Sequence, residues 1–163
     1  MKTLEFKIGD MELNVKLKVT KEQIDNTLIT ALEGGSNYWY AINDDDLREC
    51  EKWLEKNGKR NESIHYAFLD ALYQNPELSI PIYDCEEIDS LDLSDYNNDV
   101  NKMYEKTNPL GHLSWNKIKM GLNVLFEYDK SVFNQEFGDS YSGDSTSADI
   151  VFQYIIMGEV VYG

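Results

Sequence analysis

Hydrophobic positions recur along this chain with two periods, and the change of period marks the first boundary. Leu4, Phe6 and Ile8, then Met11, Leu13, Val15, Leu17 and Val19, occupy every second residue, with Gly9-Asp10 between the runs. A period of two puts each set on one face of a strand, so residues 2–8 and 11–19 predict an antiparallel hairpin with Lys2, Glu5, Lys7, Glu12, Lys16 and Lys18 on its polar side. An apolar face needs a cover, and the next segment supplies the nearest one. Ile24, Leu28, Ala31 and Leu32 recur at steps of three and four, which is the buried stripe of a helix. Thr20 and Gln23 have the spacing of a capping box at its start. Gly34 or Gly35 is expected to close its last turn in the left-handed conformation that a residue without a Cβ adopts at little cost.

The same reasoning divides the rest of the chain. Asn43-Asp44-Asp45-Asp46 offers a cap and negative charge to a helix through Leu47, Cys50, Trp53 and Leu54 that ends near Asn57-Gly58. A second helix carries Ile64, Phe68, Leu69, Leu72 and Tyr73 and stops at Asn75-Pro76. Ile80, Ile82 and Tyr83 form a short strand that Pro81 pushes toward a sheet edge. Residues 84–108 are acidic and rich in Asn and Ser, which predicts an irregular segment, with two turns of helix available between Asn98 and Lys106. Ser114 caps a helix whose stripe is Trp115, Ile118, Leu122 and Leu125, and Gly121 in its middle predicts close approach by another backbone. Residues 135–147 read as a flexible connection. A capped helix from Ser147 to Met157 follows, with Ile150, Val151, Tyr154 and Ile155 apolar, and Gly158 closes it. Residues 159–163 are too apolar to dangle, so they are expected to add a strand or pack under the helices. The sum is an α+β fold: an N-terminal hairpin and a small sheet packed against several helices, in one domain.

Composition narrows the chemistry. A length of 163 residues with 42% hydrophobic content suffices for a core without disulfides or a structural metal. Cys50 and Cys85 have no metal-ligand spacing, His65 and His112 lie far from both, and no loop of the calcium-binding pattern follows the three aspartates, so neither a metal nor a cofactor is expected. The glycines of Gly138-Asp139-Ser140-Tyr141-Ser142-Gly143 lack the strand and the lysine of a phosphate loop. No signal-peptide core and no apolar run of membrane-spanning length is present, so the expected location is the cytoplasm. The net charge of −15, from 30 acidic and 15 basic residues, disfavours direct nucleic-acid or anionic-membrane binding and leaves basic partners open. Glu86, Glu87, Asp89, Asp92, Asp95 and Asp99 concentrate that charge. The run reads as a solvated surface or as mimicry of phosphate spacing against a DNA-binding protein.

One stretch combines functional groups densely. Glu33, Ser36, Asn37, Tyr38, Trp39 and Tyr40 set a carboxylate, a hydroxyl, an amide, two phenols and an indole beside a helix end. Such groups stack on and hydrogen-bond to planar polar partners, and equally they are what core aromatics at a strand start look like. Asp149, Gln153 and Glu159 are the polar residues of the final segment available to complete a site. Glu33 with Asp149 or Glu159 could form a carboxylate pair, but no nucleophile and base can be paired, which weighs against an enzyme.

The two ends, Ala31-Leu32-Glu33-Gly34-Gly35-Ser36-Asn37-Tyr38-Trp39-Tyr40 and the run from Ala148 to Gly163, resemble a family of small acidic proteins encoded by phages, prophages and mobile elements of gut bacteria. The Gly121 helix resembles a third shared element. The resemblance implies an accessory protein working inside a host bacterial cell, and it brings no catalytic residue with it. Two kinds of function follow as expectations. One is a non-enzymatic binding protein, for instance an antagonist of host defence, holding a small ligand or a peptide at Glu33 to Tyr40. The other is an acidic decoy for a basic nuclease or restriction protein. A homodimer through a sheet edge or the Gly121 helix is compatible with either.

Overall fold

The computed structural model describes residues 4–8, 11–15, 18–59 and 63–163, with side-chain surroundings from residue 18 onward. β1 (Leu4–Ile8) and β2 (Met11–Val15) pair antiparallel, Leu4 opposite Val15. The expected turn at Gly9-Asp10 and the side chains of the hairpin lie outside what is described.

The local signals place the next elements well. α1 (Lys21–Thr30) starts at the Thr20–Gln23 capping box and buries Ile24 and Leu28. α2 (Asp44–Lys56) is capped by Asn43, which accepts from the Asp45 amide, and buries Leu47, Cys50 and Leu54. Gly58, at φ +72°, provides the left-handed residue after it. α3 (Ile64–Gln74) packs on α2 and on α1.

Two expectations are corrected at α1 and in the sheet. The glycine pair does not close α1 with a left-handed residue, because neither glycine has a positive φ. The helix instead widens into a π-turn over Ala31–Gly35, in which the Ser36 amide reaches back to the Ala31 carbonyl at 2.8 Å. What requires a glycine there is contact: a Cβ on Gly35 would sit 2.5 Å from the Ser145 carbonyl oxygen. In the sheet, β4 (Ile80–Asp84) is central, between β3 (Tyr40–Ala41) and β5 (Gly111–Leu113), although it contains Pro81. Register resolves the conflict. β3 pairs only with Tyr83 and Asp84, whereas Pro81 lies opposite His112 of β5, so the proline occupies a half of the strand with a neighbour on one side.

The acidic stretch is ordered rather than irregular. It folds as α4 (Cys85–Asp89), a 3₁₀ turn over Leu93–Tyr96 and α5 (Val100–Lys106). Each begins at an aspartate of the run: Asp84 accepts from the Glu86 and Glu87 amides, Asp92 from Ser94, and Asp99 from Asn101 and Lys102. Part of what looks like excess charge is therefore helix capping. A small second core of Tyr83, Ile88 and Met103 holds the stretch against the sheet.

The C-terminal half surrounds one helix. α6 (Trp115–Tyr128) runs from its Ser114 cap to Asp129, which at once caps α7 (Lys130–Phe137), a helix reaching into the segment expected to be a flexible connection. α8 (Ser145–Ile156) then packs against α6, α7, α1, the π-turn and β5. It begins two residues before the expected Ser147, at an Asp144–Ser147 capping box. Its buried residues include Ala148, Asp149, Phe152, Gln153 and Ile156, so the expected single apolar stripe is replaced by burial on several sides. A Cβ on Gly121 would lie 2.4 Å from the Ile155 Cα, which is the predicted close approach. That face of α6 is covered by α8. Gly158, at φ +83°, ends α8, and residues 159–163 form no strand.

Candidate functional site

The π-turn sets the geometry of the first candidate site. By adding a residue to the last turn it points Ser36 inward, fully buried, and leads Trp39 into the core at 1% exposure. Facing them is Asp149 of α8, 6% exposed, whose carboxylate receives four donors. Oδ1 accepts from the Ser36 hydroxyl at 2.6 Å and the Trp39 indole N–H at 2.7 Å. Oδ2 accepts from the Tyr38 hydroxyl and from the Gln153 amide, each at 2.9 Å. A buried carboxylate is tolerated only when it is heavily hydrogen-bonded, and this one meets that condition without a cation.

Gln153, one turn further along α8, extends the network to the chain's last segment. Its amide nitrogen also donates to the Tyr162 carbonyl at 2.8 Å, and its oxygen accepts from the Val161 and Tyr162 amides, both at 2.8 Å. The Tyr162 ring stacks on Trp39 at 5.3 Å with the planes 8° apart, and its hydroxyl donates to Asp84 at 2.6 Å. Phe152 stands 5.2 Å from the same indole. The two end motifs of the sequence thus meet, and residues 159–163 act as a strap held by side chains. Loss of solvent around the phenols, reinforced by Asp149 for Tyr38 and by Asp84 for Tyr162, pushes both hydroxyls up to about 12. Asp84 is held below the usual carboxylate range, first by the Tyr162 hydroxyl.

Of the residues singled out in the sequence, Ser36, Tyr38, Trp39, Asp149 and Gln153 come together. Tyr40 adjoins them, its ring edge-on to Trp39 and its hydroxyl donating to the Leu32 carbonyl at 2.6 Å. Glu33, Asn37 and Glu159 are exposed and outside the network, and Glu33 faces His65 at 3.4 Å instead. Tyr162 and Phe152 pack on the Trp39 indole. Sequence reasoning missed Tyr162 and Asp84 as members of this cluster. The only signal was the improbably apolar final segment.

The thiols offer little reactivity. Burial, reinforced by Asp46 and Glu49, pushes Cys50 up to about 12, and burial also raises Cys85, whose Sγ donates to the Tyr38 carbonyl. Among the described residues no group of three His, Cys, Asp or Glu side chains is arranged to hold a metal ion, and no helix is long and apolar enough to cross a membrane.

Carboxylates with fewer donors gather elsewhere, where the first turn of α2 meets the acidic stretch. Asn43 donates to Asn101 at 2.8 Å, and Asn101 donates to Asp45 at 2.7 Å, so α2 and α5 are tied across 56 residues of chain. Beneath this bridge lies a cavity of about 320 Å³ lined by Asp45, Asp46, Glu49 and Glu105 together with Tyr83 and Tyr104. The two rings meet edge to face at 4.9 Å. Partial burial, then Glu49 and Asp45, raises the Asp46 carboxyl, and the Tyr104 phenol is raised by burial and then chiefly by Asp44. The arrangement concentrates negative potential on an aromatic wall, which is suited to receiving a cation.

No protein-family model, curated protein or solved structure matches the chain.

Proposed function

We propose that the protein is a non-enzymatic binding protein that captures a basic protein partner on its acidic face, with an arginine side chain of the partner entering the cavity between α2 and α5. The observation that carries this reading is the cavity itself: four carboxylates around a tyrosine pair, on a framework fixed by aspartate caps and the Asn101–Asp45 bridge. A guanidinium suits it because its planar fork binds carboxylates and its face stacks on aromatic rings. The reading agrees with the context that the resemblance of the end motifs implies, an accessory protein working inside a host bacterial cell, where a basic nuclease or restriction protein would be a partner of the right charge. The alternative, a small ligand or peptide held at Glu33 to Tyr40, is favoured by one feature only. Gln153 grips an extended backbone there, but that backbone is the chain's own strap.

An arginine-rich peptide titrated calorimetrically into the protein tests the proposal. Asp46→Asn/Glu49→Gln should weaken binding at least about tenfold, since each charged contact contributes on the order of 1 kcal/mol or more. The control pair Asp139→Asn/Glu159→Gln removes the same charge from exposed positions elsewhere and should leave most of the affinity. Equal losses in the two variants would reduce the effect to net charge and defeat the cavity reading. A lysine-rich peptide of equal length should bind more weakly than the arginine-rich one.

A further inference from the structure

A second cavity, of about 410 Å³, lies against α1 and shares no lining residue with the acidic one. Glu22, Gln23 and Asn26 of α1 line it, with Tyr66 of α3 and Tyr141, whose side chains are 36% and 59% exposed. Glu136 of α7 belongs to the lining and is 0% exposed. Its carboxylate accepts from the Thr27 hydroxyl at 2.8 Å and from the Ser147 hydroxyl, and the backbone passes so close that a Cβ on Gly143 would fall 2.1 Å from Oε1. Hydroxyl donors satisfy the oxygens as acceptors but bring no positive charge. None of the described residues lining the cavity is basic, and the nearest lysine on α1, Lys21, is paired with Asp25 and Asp70. With no basic side chain among the described lining residues, the Glu136 carboxylate leaves a negative field in the cavity.

We propose that this cavity binds a small quaternary ammonium ion, its charge held between the Tyr66 and Tyr141 rings over the Glu136 carboxylate. The choice of cation follows from the seal on Glu136. Its oxygens are engaged and closed off, so a ligand is drawn by their field and by ring faces rather than by new hydrogen bonds. A fully alkylated ammonium fits that environment because it has no N–H donors to leave unsatisfied. The cavity volume lies within the ordinary range for small-molecule sites.

Calorimetric titration with choline, and with its uncharged isostere carrying carbon in place of nitrogen, tests the assignment. Choline should bind saturably and one-to-one, and the isostere should give no binding. Tyr141→Leu, at an exposed position that leaves the fold intact, should weaken choline about tenfold. Glu136→Gln, checked for folding by its urea midpoint, should weaken it by a similar factor, since the amide keeps the shape and removes the charge. Absence of saturable choline binding, equal binding of the isostere, or undiminished affinity in Tyr141→Leu would each overturn the proposal. Because these residues are remote from Asp46 and Glu49, this cavity and the acidic face can fail independently.

Discussion

The Asp149 cluster and the α2–α5 cavity both bring carboxylates and tyrosines together, and they do opposite things with them. At Asp149 one buried carboxylate takes four donors, three from residues 36–39 and one from Gln153 of its own helix, so its hydrogen-bonding capacity is used up in holding the segment after the π-turn against α8, and Gln153 carries the network on to the 159–163 strap. In the cavity four carboxylates share a lining with two rings, only Asp45 among them receives a side-chain donor, from Asn101, and no basic residue is among the described lining residues. A dense polar and aromatic motif is therefore not by itself a binding site. Between these two clusters the difference lies in how far the carboxylates are already hydrogen-bonded and in the cavity that only the second is seen to line.

That contrast predicts a division of mutational effects. The largest belongs to the Asp149 cluster. Asp149→Ala leaves the Ser36, Trp39 and Gln153 donors without their acceptor and should cost about 3–5 kcal/mol in urea unfolding. A loss below about 1 kcal/mol would mean that the cluster is not what fixes α8 against the π-turn. Next comes Gly35→Ala, whose added methyl meets the Ser145 carbonyl and should cost about 1–3 kcal/mol by the same measurement.

Tyr162→Phe removes the hydroxyl bond to Asp84 but keeps the ring on Trp39, for a cost of about 1 kcal/mol. It should also change the alkaline limb of stability. Tyr38, Tyr40 and Tyr162 are each raised from 10.0 to about 12 in the folded protein, so the fold favours their protonated forms. Their contribution is complete below pH 10 and is lost as the pH rises from about 10 through about 12. Denaturation midpoints measured across that range should fall less steeply in Tyr162→Phe than in the parent.

The smallest stability effect should come from the acidic face. Asp46→Asn/Glu49→Gln relieves crowding of like charges and should move the unfolding free energy by no more than about 0.5 kcal/mol, while diminishing capture of the arginine-rich peptide. A variant that unfolds would move Asp46 and Glu49 to the structural side of the comparison.

Elements were legible in the sequence wherever the determining partners are close along the chain. The Thr20–Gln23 box, the Asn43 and Ser114 caps, Gly58 and Gly158 at helix ends and the stripes of α1, α2 and α6 each depend on residues within a few positions. The candidate site was half legible. Ser36, Trp39, Asp149 and Gln153 could be named as polar residues worth watching, but not assigned to one cluster, because Ser36 and Asp149 are 113 residues apart. Glu33, Asn37 and Glu159 were indistinguishable from them by residue type and turned out to face away.

The sequence by itself determined where α1, α2 and α6 begin, that the fold is α+β, and how much negative charge the chain carries. Those properties follow from local hydrogen bonding, periodicity and composition. Only the tertiary structure decided that α1 widens into a π-turn, that Pro81 occupies a half-paired central strand, that the acidic run folds as capped helices, and that Trp39 is stacked by the chain's own Tyr162. Each of these depends on which element lies against which. Close packing makes that choice, through contacts such as Gly35 on Ser145 and Gly121 on Ile155 that local propensity does not encode.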